Sequence, residues 1–90
     1  MAPLLENIEG IRIEIYSREH LPIHIHAKYA EHEALVHITT GNIIKGSLPP
    51  KKLRIVQDWL KQDEKYVLVE QNFYELNPRL APTTENNKEN

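Results

Sequence analysis

Cysteine is absent from this 90-residue chain, and glycine (three), tryptophan, phenylalanine and methionine (one each) are scarce. Without cysteine there is no disulfide scaffold and no thiolate metal site. No apolar run is long enough to span a bilayer, so no membrane association is expected. Neither sign of charge dominates. Eleven Lys and Arg stand against thirteen Asp and Glu, a net charge of −2, which does not favour RNA or DNA as a partner. The N-terminus, Met1-Ala2-Pro3-Leu4-Leu5-Glu6-Asn7, has neither the basic nor the long apolar region of a secretory signal, so a cytoplasmic location is expected. Residues 82–90 contain no Val, Ile, Leu or aromatic residue and read as a disordered tail. That leaves one domain over residues 1–81, small enough that its core must be thin.

What is present is a change of period halfway along the chain. Ile11-Arg12-Ile13-Glu14-Ile15-Tyr16 alternates apolar and polar residues, the pattern of a half-buried strand. Ile23-His24-Ile25-His26-Ala27-Lys28-Tyr29 alternates again, and Glu33–Thr39 forms a third run. Thr40-Gly41-Asn42 reads as a turn before a short fourth strand, Ile43-Ile44-Lys45. A two-residue turn at Glu31-His32 would pair Tyr29 with Ala34, Ala27 with Val36 and Ile25 with Ile38, and would set His26 opposite His37.

Beyond Ser47, a plausible N-cap, Pro49-Pro50 suit a first helical turn. Leu53, Val56, Trp59 and Leu60 then recur on one helical stripe. A second helix is expected from about Glu64 to Leu76, ending before Pro78. The expected fold is α+β in two layers: a three- or four-stranded antiparallel sheet followed by two helices packed on one face. Residues 45–61 carry Lys45, Lys51, Lys52, Arg54 and Lys61 against Asp58. A solvated helix face is the plain reading of that charge.

Five histidines are concentrated at His20, His24, His26, His32 and His37. Alternate residues of a strand project from one face, so His24 and His26 present two imidazoles side by side. That arrangement can chelate a borderline cation such as zinc, with His37 or His20 as a third ligand and Glu19 fixing a tautomer or closing the shell. The same residues permit metal-free chemistry. His24 and His26 could act as general base and acid in phosphodiester transfer, with Glu19, His20 and Lys28 nearby and Arg12 and Arg18 as charge stabilisers. Against both stands a structural or partner-contacting role for a polar sheet face.

The segment Ile15-Tyr16-Ser17-Arg18-Glu19-His20-Leu21-Pro22-Ile23-His24-Ile25-His26-Ala27 resembles the signature of domain-of-unknown-function family 4160. Glu33-Ala34, the run Thr40–Pro49, Val56-Gln57-Asp58-Trp59-Leu60 and Val69-Glu70-Gln71-Asn72-Phe73 are similar to later parts of that family. The resemblance spans about residues 8–80. Ile23 stands where the family usually has a second proline, and Phe73 where it usually has tryptophan. The resemblance implies a small bacterial protein whose gene often neighbours that of another small uncharacterised family, in pairs like toxin–antitoxin modules. The expected function is thus an interaction component of such a two-protein module, with a small protein partner encoded by a neighbouring gene. A homodimer is the further assembly expected. The alternative is a small ribonuclease or metal-binding protein using the His20, His24 and His26 cluster.

Overall fold

The computed structural model describes residues 4–81, so the tail expected at 82–90 lies outside the described residues. Five strands run β1 (Leu4–Ile8), β2 (Ile11–Glu14), β3 (His24–Tyr29), β4 (His32–His37) and β5 (Ile43–Gly46). All neighbours are antiparallel, and the sheet order follows the chain order from β1 to β5. Two helices follow, α1 (Pro50–Leu60) and α2 (Asp63–Leu76), and a short 3₁₀ turn covers Pro78–Leu80. The α+β class therefore holds, with five strands rather than three or four.

The additional strand is β1. Leu4-Leu5-Glu6-Asn7-Ile8 does not alternate, and its residues are exposed or half-buried, so period two was not there to be read. What makes it a strand is the turn that follows. Glu9 and Gly10 both take positive φ, 49° and 86°, the handedness that closes a two-residue hairpin. The Gly10 N–H donates to Asn7 Oδ1 at 3.1 Å. Lys65 Nζ then ties α2 to this edge through Glu6 Oε1 at 3.0 Å.

The β3–β4 hairpin corrects the expected register by two residues. Tyr29 pairs with His32, Ala27 with Ala34, Ile25 with Val36 and His24 with His37. The turn is Ala30-Glu31, and Ala30 enters it at φ 53°. Because side chains alternate with period two, a slip of two leaves the buried face unchanged and alters only the partners.

Ile11, Ile13, Ile25, Ala27, Ala34 and Val36 of the sheet are wholly buried, as are Val56 of α1 and Val69 and Phe73 of α2. They belong to one apolar cluster with Ile15, Ile38, Leu48, Trp59 and Leu60. Leu53, expected in the core, is only partly buried at its edge. The cap of α1 is Pro49 rather than Ser47, and no side chain caps it. The Pro49 carbonyl instead accepts the Lys52 and Leu53 N–H groups. No helix among the described residues is long and apolar enough to cross a membrane.

Candidate metal centre

The opposite face of the sheet carries His24, His26 and His37. Strand alternation puts His24 and His26 on it together, with ring centroids 5.5 Å apart. The connection between β2 and β3 folds back so that the Glu19 carboxylate meets both rings. Glu19 Oε2 lies 2.6 Å from His26 Nε2, and Oε1 lies 3.2 Å from His24 Nε2. Donor atoms of Glu19, His24 and His26 all fall within 4.8 Å of one another. The side chains are 17%, 6% and 12% exposed, so the cluster is largely shielded from solvent.

The protonation pattern follows from the partners. His24 Nδ1 is 2.8 Å from the Pro22 carbonyl oxygen, which can only accept, so Nδ1 carries a hydrogen. In the neutral ring, Nε2 then offers a lone pair to the cluster. It is buried without a hydrogen-bond partner among the described residues, because the 3.2 Å approach to Glu19 Oε1 lacks hydrogen-bond alignment. A lone pair held against a carboxylate oxygen is a repulsive contact unless a positive charge, a proton on Nε2 or a metal cation, lies between them. His26 differs. Its Nε2 faces Glu19 Oε2 at 2.6 Å and its Nδ1 faces Glu33 Oε2 at 3.2 Å, so each ring nitrogen has a carboxylate partner.

Beside this cluster lies a second network. Glu14, the cross-strand partner of His26, is buried, and Arg12 Nη2 and Lys28 Nζ reach its carboxylate at 2.9 and 3.1 Å. Lys28 donates to the Tyr16 hydroxyl at 2.7 Å, and that hydroxyl donates to Glu14 Oε1 at 3.0 Å. Burial pushes the Glu14 carboxyl up, but the hydrogen bonds from Lys28, Arg12 and Tyr16 together outweigh it and hold the group below its ordinary value. Lys28 is held above its ordinary value, first by the Tyr16 hydroxyl and then by Glu14. The Tyr16 ring lies on that of His26, centroids 4.0 Å apart.

The residues singled out from sequence thus separate into groups. Glu19, His24 and His26 converge. His37 is opposite His24 in the register, but its Nδ1 accepts the Thr39 N–H at 3.1 Å, and it stands outside the group of three. His20 is exposed; it lines a cavity of about 170 Å³ with Glu19, Leu21, Pro22, His24, Leu35 and Ile44. Lys28 belongs to the Glu14 network. Sequence reasoning did not find Glu33, Tyr16, Phe73 or Asn77 as neighbours of the cluster. The correct hairpin register would have supplied Glu33, which faces Lys28 across the strand pair, diagonal to His26.

On the Glu33 side a second cavity, of about 390 Å³, is lined by His26, Glu33, Leu35, Lys45 and Gly46. Two imidazole nitrogens and one carboxylate oxygen suit zinc and the divalent first-row transition metals better than magnesium or calcium, which prefer oxygen alone. Three protein ligands leave coordination positions for water or a substrate. His26 Nδ1 against Glu33 and His24 Nδ1 against Pro22 are hydrogen bonds of the kind that orient histidines in metal sites.

Comparison with curated proteins and with solved structures finds no match. A family model does match, over residues 10–71, a span that holds β2 to β5, α1, the first part of α2 and all three converging side chains. The chain belongs to that family, described as a domain of unknown function (DUF4160).

Proposed function

We propose that the protein binds a single divalent transition-metal ion, zinc foremost, through Glu19, His24 and His26. The observation that carries this reading is the buried, unpartnered Nε2 of His24, aimed at a carboxylate and at a second histidine. A cation at that point turns a repulsive contact into three coordinate bonds. Acid–base catalysis by the two histidines draws less support. A general acid and a general base must each reach a substrate proton, whereas here both Nε2 atoms converge on one carboxylate and that of His24 is enclosed.

The test is a zinc titration of the full chain at pH 7.5, following bound metal and thermal midpoint together. One equivalent of zinc should bind, and a free concentration a hundredfold above Kd should stabilise the fold by about 2.7 kcal/mol. His24→Ala, His26→Ala and Glu19→Ala should each abolish stoichiometric uptake. Failure of the parent protein to take up zinc, cobalt(II), nickel(II) or iron(II) would sink the reading.

A second reading is a contact surface for the small protein encoded by a neighbouring gene, in a cytoplasmic two-protein module. It is favoured by Leu21 and Ile44, 56% and 46% exposed, which line one cavity with Pro22 and Leu35. Leu21→Lys and Ile44→Lys should then weaken co-purification with that partner. Co-expression that yields no complex would remove this reading.

A further inference from the structure

Of the three metal-binding side chains, Glu19 is the one that does not come from a strand. It sits in the connection between β2 and β3, directly after Arg18, whose φ of 61° is a left-handed conformation that side chains other than glycine adopt at a cost. A ligand in such a segment needs external support. Both backbone polar groups of Glu19 receive it from the segment that follows α2. The Glu19 N–H donates to Asn77 Oδ1 at 2.8 Å, and the Glu19 carbonyl accepts from Arg79 Nη2 at 2.7 Å.

Asn77 is fully buried. Its Nδ2 donates to the Tyr16 carbonyl at 3.0 Å and to the Phe73 carbonyl at 2.9 Å. Burying an amide is costly unless its donors and acceptor are all used, and here they are. The residues whose backbones it grips are also those that surround the cluster. Glu19 supplies the carboxylate. Tyr16 lays its ring on His26, and Phe73 meets His24 edge-on with centroids 5.8 Å apart. One side chain is thus bonded to a ligand and to the residues that pack against the other two.

We propose that Asn77 is a positioning residue of the metal centre, reinforced by Arg79, and that the end of α2 sets how firmly Glu19 engages the cation. The proposal rests on the metal-binding reading above. Neither residue falls within the segment that the family model matches.

The experiment is a cobalt(II) titration of the full chain, read by visible absorption for affinity and coordination geometry, beside metal-free thermal melts. Arg79 is exposed, so Arg79→Ala should melt without metal as the parent does. Its cobalt affinity should fall about tenfold, the lower end of what outer contacts contribute to metal binding. Arg79→Lys, which keeps a donor for the Glu19 carbonyl, should recover part of that loss. Asn77→Ala should weaken binding further and alter the cobalt spectrum. If that variant does not fold, the Arg79→Ala and Arg79→Lys pair decides the matter alone. Parent-like affinity and spectrum in Arg79→Ala, and in Asn77→Ala when it folds, overturn the positioning role while leaving the metal site standing. No cobalt uptake by the parent overturns both.

Discussion

Glu14 and His26 face each other across β2 and β3, yet their side chains belong to two different networks that meet at Tyr16. The tyrosine gives its hydroxyl to one and its ring to the other. Tyr16→Phe separates the two contributions. The ring stays on His26, so zinc affinity should remain within about twofold of the parent. Loss of the hydroxyl should cost about 1 kcal/mol of stability. A large fall in zinc affinity with unchanged stability would contradict this division, and isothermal titration with urea unfolding measures both.

Glu14 predicts an acid limit to stability. Its folded-state carboxyl lies below the ordinary value, so the ionised form is the one the fold favours. The corresponding stabilisation is fully present above the ordinary carboxylate range and is lost as pH falls through the folded value. Glu14→Gln should remove this dependence. At pH 7 it should cost about 1.5–3 kcal/mol, the range for hydrogen bonds to a charged group. Equal pH profiles for parent and variant between pH 6 and 3 would show that the network contributes nothing.

Trp59 is 4% exposed in the core, and its Nε1 has no hydrogen-bond partner among the described residues. Trp59→Ala should therefore cost about 3–5 kcal/mol. Trp59→Phe should recover more than half of that, since no hydrogen bond is lost with the indole. If the phenylalanine variant melts as low as the alanine variant, Nε1 has a partner after all. Thermal or urea unfolding of the two variants side by side gives the answer.

Gly46 closes β5 at φ 82°, and a Cβ there would run into the Glu33 backbone oxygen. That oxygen already accepts the Ser47 N–H at 3.1 Å. Gly46→Ala should destabilise by more than about 1 kcal/mol. It should also loosen β4 beside Glu33, so amide exchange along Glu33–Leu35 should quicken. Parent-like exchange there would show that β5 adjusts without disturbing its neighbour.

The parts of this fold that were readable in the sequence are those that one periodicity governs. β2 and β3 alternate, α1 carries a single apolar stripe, and α2 begins one residue before its expected start. β1 escaped because Leu4–Ile8 has no alternation and depends on the handed turn at Glu9-Gly10. The hairpin register slipped because a left-handed alanine at position 30 is not what a turn ordinarily recruits. That slip exchanged His26 for His24 opposite His37. His24 and His26 were visible as neighbours from strand geometry, and Glu19 from its closeness in the chain. Asn77 was not, because hydrogen bonds spanning 58 and 61 residues leave no mark on any local pattern.

The strands of the sheet pair in the order in which they are synthesised, so each can find its neighbour as the chain leaves the ribosome. The connection bearing Glu19 is different. Its backbone stays unheld until Asn77 and Arg79 have also emerged. A nascent chain therefore displays two paired histidines before it has a fixed carboxylate to set against them. On the metal-binding reading, a cation meeting the growing polypeptide would find a two-ligand site, and the third ligand would lock into place only once α2 and the turn after it had formed.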